Sequence, residues 1–166
     1  HVDHHFGDIE KGFAEAAHIR EERFIGNRTY QNPMEPHVAI AEWDRHGRVT
    51  LYTSTQVVHY VHHQLSRILN LPLGDIRVIM TNCGGGFGAK AATNMLEILS
   101  ILLAKKVGCA VKMRFNREEM YLYGRGRHKQ YIDLKIGVKK DGTITAVKQK
   151  AVLEGGAYSS FGIVST

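Results

Sequence analysis

Residues 81–90 read Thr-Asn-Cys-Gly-Gly-Gly-Phe-Gly-Ala-Lys, which places a glycine-packed turn between a strand-like run and a helix-like run. Glycine lacks a Cβ atom, so its backbone can approach a ligand closely and can adopt positive φ angles that other residues adopt only under strain. A turn of this composition therefore predicts a binding surface made of main-chain N–H groups.

Two phosphate-binding motifs could explain such a turn. A P-loop reads G-x-x-x-x-G-K-[ST], but counting from Gly84 puts Ala89 in place of the second glycine and Ala91 in place of the hydroxyl residue that binds Mg²⁺. The dinucleotide fingerprint G-x-G-x-x-G/A fits Gly84, Gly86 and Ala89. However, the acidic residue expected about 20 positions further on is absent, since Lys-Lys-Val-Gly fills positions 105–108. A nicotinamide dinucleotide-binding domain is therefore kept only as an alternative.

The bulk composition is that of a globular chain. Its 166 residues are 43% hydrophobic with only 3 prolines, which suffices to bury a core as a single domain or as a fragment of a larger one. The net charge of +6 comes from basic residues scattered along the chain, a pattern more typical of a solvated face than of a nucleic-acid footprint. No apolar run reaches the roughly 18 residues of a membrane span.

The two cysteines, Cys83 and Cys109, form no C-x-x-C pair, and no secretory apolar segment opens the sequence. This usage predicts a reduced, cytoplasmic protein. Because the sequence starts at His1 without a methionine, we expect a fragment of a longer chain.

Hydrophobic periodicity and turn residues predict an α+β fold with mixed sheets, β-hairpins and two or three packed helices. The expected helices are a short one after Asp8, one from a Ser54 or Thr55 cap to about Asn70, a buried one over about 91–106 and a short one after Asn116. The expected strands are 19–30, 38–43, 48–53, 75–81, 110–115, 131–136 and 143–147, with hairpin turns at 44–47 and 139–142.

Five segments, in order, resemble the molybdenum-binding large subunit of the xanthine dehydrogenase and aldehyde oxidase family. They are Pro33-Met-Glu-Pro-His37, Thr53-Ser-Thr-Gln56, Gly84-Gly-Gly-Phe-Gly-Ala-Lys90, Arg117-Glu-Glu119 and Gly155-Gly-Ala-Tyr158. Within the family, the sequence looks most like the 4-hydroxybenzoyl-CoA reductase-like branch, through Gly124-Arg-Gly-Arg-His128 and residues 154–162. Carbon monoxide dehydrogenase-like and aldehyde dehydrogenase-like relatives stay open as alternatives.

This resemblance implies the first part of a molybdopterin-binding domain in an oxidoreductase that moves two electrons between a carbon centre and molybdenum. The implied cofactor is molybdopterin, either plain or as its cytosine dinucleotide. The implied partners are the rest of the large subunit and an iron–sulfur subunit and an FAD subunit or domains, because two separated cysteines cannot ligate a [2Fe–2S] cluster. The implied substrate is an aromatic acyl-CoA, an aldehyde or an N-heterocycle.

The resemblance also implies which residues contact the cofactor. Gln56 stands where the family has a glutamine whose amide donates a hydrogen bond to an oxygen ligand of molybdenum. Phe87 and Gly88 stand where a backbone amide meets the apical oxo group, and Gly85 and Gly86 belong to the same turn. These five residues are the expected cofactor-binding set, and no side chain is expected to bond to the metal itself.

Two features limit what the resemblance implies. The family's catalytic base is a glutamate near the C-terminal end of the subunit, beyond Thr166, so these 166 residues are expected to hold no catalytic residue and to be inactive alone. In the xanthine dehydrogenases a glutamate follows the motif lysine, whereas this sequence has Ala91, which disfavours a xanthine-type substrate.

A different class of function stays open, namely a stand-alone, non-catalytic binding or assembly module with the same fold. His59 and His63 could face one metal across a helical turn, but no third ligand accompanies them. Glu35 and His37 could act as acid and base, but the two prolines favour a role in fixing the entry to the strand at 38–43. Cys83 is expected to be a small buried residue.

Overall fold

The computed structural model describes residues 3–156, which form four α-helices and seven strands in two sheets. In chain order the elements are α1 (Ile9–Ala14), β1 (His18–Gly26), β2 (Val38–Trp43), β3 (Val49–Thr53), α2 (Val58–Leu69), β4 (Ile76–Met80), α3 (Met95–Val107), β5 (Val111–Arg114), α4 (Arg117–Tyr123), β6 (Gln130–Val138) and β7 (Ile144–Leu153). The expected α+β class is confirmed, and each of the four expected helices is present.

The described chain divides into two compact units, of which the first comprises residues 3–29 and 128–156. Its antiparallel sheet has the order β1-β6-β7, and β6 and β7 form the hairpin predicted around 139–142. Helix α1 begins where predicted, because the side chain of Asp8 accepts a hydrogen bond from the N–H of Lys11 at 3.0 Å.

The second unit, residues 30–127, is built on a mixed sheet with the order β4-β3-β2-β5. Strands β2 and β3 form the predicted hairpin, and helix α2 carries the chain over to β4, which lies parallel to β3. Strand β5 pairs with β2 at the other edge. Helices α2 and α3 pack on the sheet around one core, whose buried members are Ala39, Ala41, Val49, Leu51, Val61, Leu65, Ile76, Leu96, Ile101 and Ala104.

Helix α2 starts later than predicted. Its N-cap is Val57, which makes no side-chain cap hydrogen bond. The expected caps, Ser54 and Thr55, are instead buried after β3, where the Thr55 hydroxyl donates to the carbonyl of Lys90 and accepts from the N–H of Val57. Gln56 therefore lies in the loop before the helix and not in its first turn.

Helix α3 also starts later than predicted, because Asn94 and Glu97 form a capping box at its N-terminus. It is not buried all round. One face packs in the core, while five other apolar residues are 38–55% exposed: Met95, Leu99, Leu102, Leu103 and Val107. The correction follows from the architecture, since a helix lying on a sheet buries only the face that meets the strands.

Because α3 starts late, the glycine-rich loop lacks the surroundings that the dinucleotide-binding alternative requires. That fingerprint requires the glycine turn to lead directly into a helix, whose N-terminus then holds the phosphates. Here residues 81–94 contain no helix, and the strand after α3 lies at the opposite edge of the sheet from β4. The nicotinamide interpretation is therefore wrong for this fold. Within residues 3–156, no helix is long and apolar enough to cross a bilayer.

Candidate functional site

The glycine-rich stretch is a loop between β4 and α3, and its glycines meet two different requirements. Gly85 and Gly88 have φ angles of +98° and +93°, which glycine adopts far more readily than other residues. A Cβ on Gly84 would lie 2.7 Å from Cβ of Glu35, and a Cβ on Gly86 would lie 2.3 Å from Oε1 of Gln56. The loop is therefore closely fitted to the side chains of Glu35 and Gln56.

Gln56 holds this loop through its amide oxygen. Oε1 accepts hydrogen bonds from the N–H groups of Gly88 at 3.0 Å and Lys90 at 3.3 Å. The main-chain N–H of Gln56 donates to the carbonyl of Lys90 at 3.0 Å. Because both lone pairs of the amide oxygen are engaged, the Nε2 hydrogens are the part of this exposed carboxamide that can donate to a ligand.

Phe87 occupies the middle of the loop in a strained conformation. Its φ angle is +52°, in the left-handed region that bulky residues rarely adopt. The residue is 65% exposed, so Phe87 does not pack in the core. A Cβ on Gly85 would lie 3.0 Å from Cε2 of Phe87, which places the ring against Gly85.

The loop also presents main-chain donors. Within the described part of the chain, the N–H groups of Gly85, Gly86 and Phe87 donate to no protein acceptor, whereas those of Gly84 and Gly88 bind Glu35 and Gln56. Successive N–H groups in a turn with left-handed residues form concavities that suit anionic or oxo groups. The loop can therefore bind an oxygen-rich ligand, although the N–H of Gly88 is already engaged by Gln56.

An ion pair between Glu35 and Lys90 fixes the loop. Oε2 of Glu35 accepts from Nζ of Lys90 at 2.5 Å and from the N–H of Gly84 at 2.8 Å. The Lys90 side chain is fully buried, and that of Glu35 is 29% exposed. Burial acts to raise the pKa of Glu35, but the hydrogen bonds from Lys90 and Gly84 and the positive charge of Lys90 together hold that pKa below its ordinary value.

A second carboxylate, the fully buried Glu97, joins three parts of the site. Its Oε1 accepts from the hydroxyl of Thr53 at 2.8 Å and lies 3.2 Å from Nε2 of His37, and its Oε2 accepts from the N–H of Asn94 at 2.6 Å. Glu97 and His37 are almost completely buried. Thr53 lies just before Gln56 in the sequence, and Asn94 is the last residue of the segment that contains the glycine loop. The Glu97 carboxylate therefore anchors both of these segments.

Arg117 clamps the segment that carries Glu35. Its guanidinium donates to Oδ1 of Asn32 and to the carbonyls of Pro33 and Met34, at 2.8, 2.8 and 2.9 Å. A planar guanidinium with several fixed donors suits such a set of oxygens. Four of the five segments that carried the resemblance therefore meet in the unit formed by residues 30–127.

The fifth segment falls partly outside the described residues, since Ala157 and Tyr158 lie beyond residue 156, as do residues 157–162 of the branch signature.

Cys83 is exposed, which corrects the expectation of a buried residue. His62 bonds to the carbonyl of Leu73 at 2.9 Å, and within residues 3–156 no group of three metal-ligating side chains occurs.

Sequence reasoning missed the anchoring roles of Lys90, Glu97 and Arg117. One signal was available, because Asn94-x-x-Glu97 has the spacing of a capping box, which places the start of α3 and orients Glu97. The contacts of Lys90 and Arg117 join residues 55 and 83–85 positions apart. No local pattern reports contacts of that range.

Comparison with known proteins agrees with this geometry. The family described as "Molybdopterin cofactor-binding domain" matches residues 1–166. The probable hypoxanthine oxidase XdhD of Escherichia coli O157:H7 is 33% identical over 94% of this chain and 16% of its own length. The nicotine 6-hydroxylase large subunit of Paenarthrobacter nicotinovorans is 34% identical over 92% of this chain and 19% of its own.

Among solved structures, the aldehyde oxidoreductase of Desulfovibrio gigas superposes with a TM-score of 0.82 at 27% identity, over 95% of this chain and 17% of that chain. The fold and the site thus define a molybdopterin cofactor-binding domain. The chain belongs to the molybdopterin cofactor-binding domain family, within the xanthine dehydrogenase and aldehyde oxidase group. It spans less than a fifth of the length of the relatives named here.

Proposed function

We propose that this chain forms one wall of the molybdopterin site in the catalytic subunit of a molybdenum oxidoreductase. The observation that carries the proposal is the contact between Gln56 and the glycine loop, in which Oε1 binds Gly88 and Lys90 and Nε2 is left to donate. A neutral, fixed amide can bind an oxygen of the cofactor without adding a charge or competing as a metal ligand.

The loop supports the same assignment. Within residues 3–156 the N–H groups of Gly85, Gly86 and Phe87 have no protein acceptor, so they can bind oxo or phosphate oxygens. The exposed Phe87 ring can cover the cofactor face and exclude water, and its backbone at φ +52° supports the proposal, because such strain is typical of functional sites. Gln56, Gly85, Gly86, Phe87 and Gly88 are therefore our proposed cofactor-binding set, with Gly88 acting through Gln56.

When bound, the cofactor supplies two-electron transfer between a substrate carbon and molybdenum. This chain's residues hold and orient it, and we place the catalytic base in a later part of the subunit, so that the 166 residues alone are inactive. Iron–sulfur and FAD partners for electron transfer, molybdopterin either plain or as its cytosine dinucleotide, and a cytoplasmic location complete the proposal. The relatives' designation as large or molybdenum-binding subunits supports the partners.

For the substrate we favour an N-heterocycle or an aldehyde. The relatives are named for hypoxanthine, nicotine and aldehyde substrates. These names lend no support to an aromatic acyl-CoA or to the 4-hydroxybenzoyl-CoA reductase-like branch. Ala91 lacks the carboxylate that a purine-orienting glutamate would provide, so we place xanthine itself behind other heterocycles.

The test is molybdenum per subunit, measured by elemental analysis on the full-length subunit in its native complex. We expect near-stoichiometric metal in the wild type and a clear loss in Gln56→Ala and Gly88→Ala. Gln149→Ala, at an exposed glutamine in the other unit, and Gly47→Ala, at a φ +77° glycine with open space around it, are the matched controls. A fully assembled wild-type complex without molybdenum would refute the enzyme proposal and favour the non-catalytic binding module.

A further inference from the structure

The mixed sheet of residues 30–127 has one face on which neither α2 nor α3 packs. Side chains alternate between the two faces of a strand, and Ala39, Ala41, Val49 and Leu51 pack with both helices in the core. The intervening residues of the strands therefore point to the other side. We call that side the outer face and define it by Ile40, Tyr52, Arg77, Ile79, Lys112 and Arg114.

The centre of the outer face is apolar. Strand pairing places Ile79 beside Tyr52 and Tyr52 beside Ile40, so the three form one row across β4, β3 and β2. All three are half-buried. In the described part of the chain, Ile40 and Ile79 are not among the apolar residues that pack against the core. The row is therefore a second apolar surface of this sheet, separate from the core.

The pairing of the strands also favours a cover on this side. Strands β3 and β4 are parallel, and parallel sheets occur almost only with both faces covered by another layer. Helix α2, which connects these two strands, packs on the core side. The parallel part of the sheet therefore has one of the two layers that such sheets normally have.

Positive charges flank the apolar row on both edge strands. Arg77 lies on β4, Lys112 and Arg114 lie on β5, and all three are exposed. Within residues 3–156, none of them forms an ion pair, either with Glu42 on the same face or with another carboxylate. An apolar centre with a polar rim is typical of a protein interface, and unpaired cations favour an acidic occupant.

We propose that the outer face is covered by an acidic segment from the rest of the large subunit, with apolar side chains over the row and carboxylates facing the three cations. The proposal rests on the proposed function, in which this chain is one section of a longer catalytic subunit. The chain spans less than a fifth of the length of the relatives named above. A segment of the same polypeptide also has a higher effective concentration at this face than a separate subunit has.

The first measurement is hydroxyl-radical footprinting of the wild-type full-length subunit, both alone and in its native complex. Modification of Tyr52 is read by peptide mass spectrometry and divided by its rate in the denatured subunit. Leu51, which is fully buried in the core, is the internal reference. We expect Tyr52 to be as protected as Leu51 in both samples, whereas the half-buried side chain of an uncovered sheet would be modified clearly faster.

The second measurement tests the charge of the occupant with Lys112→Glu. Lys112 and Arg114 lie on the same face with their Cα atoms about 7 Å apart, so on an uncovered sheet the new carboxylate would attract Arg114 and keep or raise the stability. Under an acidic segment it would instead repel that segment. We therefore expect the thermal midpoint of the full-length subunit to fall and the modification of Tyr52 to increase.

The matched control is Lys148→Glu, at another exposed lysine on an edge strand, β7. In the described residues Lys148 likewise forms no ion pair. This variant should neither lower the midpoint nor expose Tyr52. If Lys112→Glu does not fold, the neutral Lys112→Gln should give a smaller decrease of the midpoint, and the footprint of the wild type needs no variant.

Three results would overturn the proposal. Tyr52 modified readily in both samples would show an uncovered face, and Tyr52 protected only in the complex would assign the face to a partner subunit. A protected Tyr52 with an unchanged or raised midpoint in Lys112→Glu would exclude an acidic occupant. Molybdenum is measured on the same wild-type complex, and full metal content with an exposed Tyr52 would remove this inference alone. Absent metal with a protected Tyr52 would remove the cofactor site but not the covered face.

Discussion

Glu35 and Lys90 form an ion pair in which the charged atoms lie 2.5 Å apart and the lysine side chain is completely buried. The same Glu35 oxygen accepts the N–H of Gly84 at 2.8 Å. One carboxylate therefore holds both ends of the loop that runs from Gly84 to Lys90. Arg117 in turn binds the carbonyls of Pro33 and Met34, so the loop is tied to a segment that is itself fixed.

Breaking this pair from the carboxylate side should be costly. Glu35→Gln leaves the buried Lys90 ammonium without its counter-charge, and we expect a loss of about 3 kcal/mol in the free energy of unfolding. Lys90→Met removes the buried charge itself, so the double variant should be more stable than Glu35→Gln alone. Chemical denaturation of the four proteins gives the coupling.

The control for this cycle is Arg20→Met, which breaks an exposed ion pair with Glu22 and should change the free energy by less than about 1 kcal/mol. Strictly additive effects at Glu35 and Lys90 would mean that the two charges do not stabilise each other.

The pair also predicts a pH dependence. Because the pKa of Glu35 in the folded protein lies below its ordinary value of 4.5, its contribution to stability is complete above that value and is lost as the pH falls through the lowered pKa. The stability difference between wild type and Glu35→Gln should therefore be constant near neutral pH and shrink below about pH 4.5. Taking the difference cancels exposed carboxylates such as Asp44 and Asp133, whose pKa values are also lowered. A difference that grew on acidification would contradict the assignment.

We expect a methyl group at Gly86 to destabilise the protein, because the side chain of Gln56 occupies the space that the methyl group would need. A Cβ there would lie 2.3 Å from Oε1 of Gln56, so Gly86→Ala should lower the free energy of unfolding by about 1–3 kcal/mol through overpacking. In a Gln56→Ala background the obstructing atoms are gone, and the effect should largely disappear.

The matched control for Gly86 is Gly74→Ala, where the added Cβ would meet nothing within 4 Å and the change should be small or stabilising. Unfolding curves of the single and double variants measure whether the effect of Gly86→Ala depends on the Gln56 side chain. Equal effects of Gly86→Ala with and without the Gln56 side chain would show that the contact does not determine the glycine.

Local signals account for most of the secondary structure. The Asp8 and Asn116 caps and the turns at 44–47 and 139–142 each use a short polar side chain or a glycine in a local geometry, so the sequence alone places them. The sequence predicts starts of α2 and α3 that are too early, because apolar periodicity continues through residues that tertiary contacts hold in a loop. Thr55, which could cap a helix, bonds to Lys90 instead.

The candidate site likewise contains some residues that could be selected from the sequence and others that could not. Gln56 and the glycines could be selected from the sequence because the motifs resemble a family, and the structure places them together. The supporting residues could not be selected. Lys90 and Glu97 look like ordinary loop and helix residues until the fold buries them against Glu35 and His37. Their roles depend on burial and on partners distant in sequence, which no local pattern encodes.

Glu97 provides the most demanding test of how the site is supported. Its buried carboxylate accepts hydrogen bonds from the Thr53 hydroxyl and the Asn94 N–H and lies 3.2 Å from Nε2 of His37. A carboxylate is acceptor-only, whereas glutamine would turn an NH₂ group toward one of these donors. Glu97→Gln should therefore lose about 2–4 kcal/mol in the free energy of unfolding despite its similar shape.

Thr53→Val removes only one donor and leaves the carboxylate its other contacts, so it should lose about 1 kcal/mol. Chemical denaturation measures both variants, and molybdenum content of the loaded full-length subunit tests whether the anchor matters for the site. Because Thr53 leads to Gln56 and Asn94 ends the loop segment, Glu97→Gln should also lower metal content more than Thr53→Val does. Equal, small effects of the two substitutions would mean that α3 and the loop are positioned without this carboxylate.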